Sequence, residues 1–71
     1  MNLILSESET WEVASQQFRE KFEKLTGLSP RDFKNVAEFI PDRENLQFIY
    51  QKNNFKLVFK YENNFWELYE V

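Results

Sequence analysis

The chain has 71 residues, 42% hydrophobic and 30% charged, with a formal charge of −3 and neither cysteine nor histidine. That composition fits a folded domain and excludes disulfides, Cys/His zinc centres, thiol nucleophiles and an imidazole base, and the acidic balance disfavours a phosphate-tracking surface. One domain over residues 1–71 is expected, near the size at which a single core is marginal, with eight Phe, three Tyr and two Trp to fill it.

Met1 to Leu5 lacks the basic start and the length of a secretory signal, and acidic residues follow it. Asn2 to Leu5 can instead form a short strand at a sheet edge. No apolar run approaches the roughly 20 residues that cross a bilayer, so a cytoplasmic location without membrane contact is expected.

A first helix is predicted from about Glu7 to Thr26. Ser6 and Glu9 have capping-box spacing, Ser8 is a rival N-cap, and Glu7, Glu9 and Glu12 crowd the end where the helix dipole favours anions. Trp11, Ala14, Phe18, Phe22 and Leu25 recur every three or four residues as one apolar stripe. Gly27, the only glycine, suits the left-handed position that closes a helix. A second helix follows at once, with Ser29 as N-cap, Pro30 in the first turn, Asp32 near the dipole, and Phe33, Val36, Ala37 and Ile40 as its apolar face. Pro41 ends it, because the residue before a proline avoids the helical region.

From Asn45 to Val71 the pattern is a three-stranded antiparallel meander divided by Asn53-Asn54 and Asn63-Asn64, asparagine being tolerant of the positive φ of tight hairpin turns. Two-residue loops pair Tyr50 with Leu57 and Phe48 with Phe59 in the first hairpin, and Tyr61 with Trp66, Lys60 with Glu67 and Phe59 with Leu68 in the second. Alternation then puts Leu46, Phe48, Tyr50, Leu57, Phe59, Tyr61, Trp66 and Leu68 on one face. That face is the large apolar surface available to cover both helices. The expected fold is therefore a two-layer α+β unit, two N-terminal helices on one face of a three-stranded meander, with Phe59 at its centre as the costliest truncation.

Function is less constrained. The carboxylates read as caps and strand surface rather than a converging acid/base pair, and a single glycine excludes a glycine-rich phosphate loop. No enzymatic activity, metal or cofactor is expected. The face away from the helices carries an apolar row, Ile49, Val58 and Tyr69 with Val71 beside it, inside a polar surround of Gln47, Gln51, Lys56, Lys60 and Glu67. A solvated sheet face does not need such a row, so it is the expected interface of a small protein-binding or regulatory module, with a protein partner or a second copy.

Phe18-Arg19-Glu20-Lys21-Phe22 followed by Lys24-Leu25-Thr26-Gly27-Leu28-Ser29-Pro30-Arg31-Asp32-Phe33 resembles the end of the second helix-turn-helix of arabinose-regulator-type bacterial transcription factors. The resemblance implies Gln16, Gln17, Arg19 and Lys21 as base- and phosphate-contacting residues on a helix in the major groove. The family's preceding helices have no counterpart here, and Glu20 and Glu23 stand among the basic residues. Nucleic-acid binding, by this helix or by Lys56 and Lys60 with Tyr69 as a stacking platform, is the second reading. A self-assembling structural domain is the third.

Overall fold

A computed structural model describes residues 2–7 and 15–71. Five strands and two helices follow in the order β1 (Asn2–Glu7), α1 (Gln16–Thr26), α2 (Pro30–Val36), β2 (Glu38–Asp42), β3 (Gln47–Lys52), β4 (Phe55–Lys60) and β5 (Phe65–Glu70). The strands form one antiparallel sheet in the order β1-β5-β4-β3-β2. The class remains α+β, but the three-stranded meander is corrected to a five-stranded sheet. β2 and β1 extend it, one on each side.

Both additions have local causes. Ile40 precedes Pro41 and is confined to extended backbone, and pairing Phe39 with Tyr50 and Ile40 with Ile49 covers the ladder groups of β3 that would otherwise be open. The expected second helix therefore stops at Val36, where the Ala37 N–H donates to the Phe33 carbonyl at 2.9 Å and the chain becomes extended. Its start is as expected: the Ser29 hydroxyl accepts from the Asp32 N–H at 3.1 Å, and Pro30 holds the first turn.

At the N-terminus, Asn2–Glu7 pairs with β5 and consumes Ser6 and Glu7, which cannot then cap a helix. The N-cap of α1 is Ser15, whose hydroxyl accepts from the Phe18 N–H at 3.1 Å. Ser8, Glu9, Trp11, Glu12 and Ala14, assigned to the first helix, lie outside the described residues. Gly27 closes α1 as expected, at φ 79° with its N–H donating to the Glu23 carbonyl at 2.8 Å.

The first hairpin has the expected register, Lys52 with Phe55 through Gln47 with Lys60, although only Asn53 of its two loop residues takes a positive φ. The second is offset by two. Its loop is Tyr61 to Asn64: the Asn63 N–H donates to the Lys60 carbonyl at 3.4 Å and Asn64 follows at φ 51°. Lys60 therefore faces Phe65, Phe59 faces Trp66 and Leu57 faces Leu68. An offset of two keeps every side chain on its predicted face and changes only its neighbours.

The core lies between the helices and this face: Phe18, Phe22 and Phe33 from above, Leu57, Trp66 and Leu68 from below, with Ile4, Leu5, Leu28 and Ala37 packed around them. Phe22 and Phe33 meet edge to face at 5.4 Å. Leu25 and Val36, assigned to the apolar helix stripes, are exposed, and so is Leu46.

Because Phe22 is wholly enclosed while Phe59 is only half-buried, the costliest truncation moves from the sheet to the helix. Phe22→Ala is expected to lose about 3–5 kcal/mol, and Phe59→Ala less, in urea unfolding followed by circular dichroism. At Gly27 an added Cβ meets nothing within 4 Å, so Gly27→Ala isolates the left-handed backbone and should cost about 1–2 kcal/mol.

Candidate functional site

The helices cover only part of the aromatic face. α2 is seven residues long and packs on β3, and α1 packs on β1 and α2. From the margin of the core, where Tyr50 and Phe59 pack against it, outward to Phe48, Phe39 and Tyr61, the rings form a continuous surface. Phe39 lies 5.5 Å from Phe48 and 5.2 Å from Tyr50, Phe48 lies 4.8 Å from Tyr61, and Phe59 stacks on Trp66 at 4.3 Å. The rings lean on one another for support, yet Phe39 is 51% exposed and Tyr61 36%.

The register explains who meets whom. Pairing β2 with β3 puts Phe39 beside Tyr50, and the longer β4–β5 loop carries Tyr61 past the end of β4, where it turns to Phe48 rather than to Trp66. Lys34, on α2, sits 5.4 Å above the Tyr50 ring and 5.8 Å from Trp66, a cation–π contact at the junction of the covered and open areas. Partial burial beneath it pushes the Tyr50 hydroxyl above its ordinary range.

The β2–β3 loop, Arg43 to Asn45 and Leu46, stands at the same end. Asp42 anchors it: Oδ2 accepts from Asn45 Nδ2 at 2.9 Å and from Gln47 Nε2 at 3.1 Å, and Oδ1 accepts from the Asn45 N–H at 3.2 Å. These bonds, the Asn45 side chain first, hold the Asp42 carboxyl below its usual range. Leu46 itself is held at φ 54° and is exposed. A bulky residue is strained in that conformation, and strain of this kind concentrates where side chains are presented for contact. Sequence reasoning assigned Phe39 to a helix and Leu46 to a strand; Pro41 after an aromatic and a β-branched residue was the available signal for the strand.

The residues expected to form an interface on the opposite face are brought together differently. Ile49 and Val58 face each other, flanked by Ile40, but they are 8% and 3% exposed. The row is therefore buried within the chain, as a small second core on this face. Gln47, Lys56, Lys60 and Tyr69 are half-buried around it. Tyr69 faces Lys56 instead of Val58, and the exposed Val71 lies past the end of β5, its N–H donating to the Asn54 carbonyl at 2.7 Å.

Glu67 is buried in this face, directly opposite Val58, and its Oε1 lies 2.8 Å from Lys60 Nζ. The two charges touch without the alignment of a good hydrogen bond. Predicted to face each other, they meet on the diagonal. Contact with Glu67 pushes the Lys60 ammonium up, while desolvation, and then the bond to Glu67, push the Tyr69 hydroxyl up.

Gln16, Gln17, Arg19 and Lys21 are all exposed on α1 but do not share one face. Gln16 donates to Glu20 Oε1 at 2.9 Å; by helical spacing Arg19 sides with Glu20 and Glu23, and Gln17 and Lys21 with Lys24. Among the described residues no three acidic side chains converge on a metal position. A shallow cavity of about 160 Å³ lies between Asn45, Leu46, Lys60, Glu62 and Asn63, smaller than the roughly 300 Å³ of ordinary ligand pockets. No described helix is long and apolar enough to cross a membrane. The chain matches no family model, and no curated protein or solved structure matches it.

Lys60 and Tyr69 both hold their protons more tightly in the folded chain than in the unfolded one, so their contribution is complete at neutral pH and is lost as pH rises through the folded values. Melting temperature followed by circular dichroism should stay level up to about pH 10 and fall above it. The fall should be shallower in Lys60→Met and Tyr69→Phe, each measured against its own value at pH 8.

Proposed function

We propose that the protein is a small non-enzymatic binding module that captures a protein partner through the uncovered aromatic end of its sheet. The observation that carries this reading is that Phe39 and Tyr61 stand exposed and continuous with the rings of Phe48 and Tyr50. Aromatic side chains are the usual anchors of protein contacts because they bring large area at low conformational cost.

Charge narrows the partner. Of the cations nearby, Lys34 lies over rings and Lys60 against Glu67, whereas Glu44 and Glu62 are exposed in the adjoining loops with Arg43. An apolar segment flanked by Lys or Arg complements such a rim. Phosphates do not, which sets single-stranded nucleic acid below protein although the rings could stack with bases.

Selection of displayed peptides on the wild-type domain tests this. Enriched sequences should pair aliphatic or aromatic residues with Lys or Arg, and Phe39→Thr, which keeps strand propensity, should weaken their binding at least tenfold while circular dichroism is unchanged. Leu46→Asn should raise stability by a few tenths to about 1 kcal/mol through relief of the left-handed leucine. Failure to enrich peptides, enrichment of acidic ones, or tight oligonucleotide binding that Phe39→Thr abolishes would each overturn the proposal.

A further inference from the structure

The two edges of the sheet are built unlike each other. β2 carries Glu38 and Asp42 and has Pro41 inside it, so it lacks one N–H donor and repels acidic strands. β1, Asn-Leu-Ile-Leu-Ser-Glu, holds no proline and no lysine, and Leu3 stands 52% exposed on it. Among the described residues nothing pairs with its outer side. Natural sheets manage such an edge or use it.

From this asymmetry we infer that β1 joins the β1 of a second copy, antiparallel across a two-fold axis, to make one ten-stranded sheet. In that alignment Asn2 faces Glu7 of the second copy, Leu3 faces Ser6, and Ile4 faces Leu5. No like charges meet, whereas a parallel pairing would set Glu7 against Glu7. The register irregularity between Leu3 and Leu5 brings the Leu3 and Ser6 side chains to the same face, opposite Tyr69 and Glu67, so that facing positions across the axis match in orientation as well as in charge. Joining β1 to β2 of another copy would start an open filament, but β2 carries Glu38 and Asp42 and has no N–H to give at Pro41, which makes it a poor partner for a further strand. One open edge and one blunted edge therefore favour a closed dimer.

About 20 Å of edge is joined, which leaves the contact below the roughly 1,200 Å² of stable complexes and makes the dimer weak and concentration-dependent. Sedimentation of the whole chain from about 10 μM to about 1 mM should show the average mass rising from monomer towards dimer and no further. Leu3→Lys, at an exposed position, should remain monomeric throughout with an unchanged circular dichroism spectrum. Since the chain has no cysteine of its own, the double variant Leu3→Cys and Ser6→Cys should form covalent dimers on mild oxidation, whereas Leu3→Cys alone should not. A wild-type mass that stays monomeric, growth beyond dimer, or equal association by Leu3→Lys would overturn the inference. Phe39→Thr leaves this edge intact and should dimerise as the wild type does, which separates this contact from the aromatic patch.

Discussion

Strand β4 is the member on which the rest depends, because two of its adjacent residues are buried on opposite sides of the sheet. Leu57 points into the helix-covered core and Val58 into the small core on the other face. A slip of one residue that put Leu57 in the place of Val58 would bring Lys56 to the place of Leu57 and set an ammonium group among Phe22, Phe33 and Leu68, at a cost of several kcal/mol. With β4 fixed, the tight turn at Asn53-Asn54 fixes β3, β3 supplies the ladder for β2, and the loop from Tyr61 supplies β5 and through it β1.

Among the described residues, eighteen are helical, eleven in α1 and seven in α2, too few to cover five strands. The chain spends its helices on the Leu57, Trp66 and Leu68 end and leaves the other end to rings that cover one another. Tilted contacts of about 5 Å between Phe39, Phe48, Tyr50 and Tyr61 remove part of each ring from water while leaving the rest accessible. Stability and availability for contact are thus divided along a single sheet face. On the opposite face Ile49 and Val58 are buried, and burying Glu67 beside them is tolerable because Lys60 lies against it.

Much of this was legible in the residues. Period-two alternation assigned each side chain of β3, β4 and β5 to its correct face, since that depends on backbone geometry alone. Gly27 and the Ser29-Pro30 pair marked the helix boundary, because backbone freedom and capping are local properties. Asn2 to Leu5 was recognised as a strand that could join an edge.

What required the tertiary structure was every choice between two locally acceptable conformations. Phe33, Val36, Ala37 and Ile40 have helical spacing, yet the last of them pairs with Ile49 because an open β3 edge and a following proline outweigh one more turn of helix. Asn63-Asn64 suits a two-residue turn or the end of a four-residue loop, and only the packing of Trp66 against Phe59, instead of Tyr61, selects the latter. Exposure was decided at the same level: Ile49 and Val58 looked open and are buried, while Phe39 looked internal to a helix and is open. Sequence alone determined which face each strand residue occupies, since that follows from one chain's own geometry. Which parts of each face are covered was decided by the tertiary structure, because burial depends on the reach of side chains from other strands and on where short helices end.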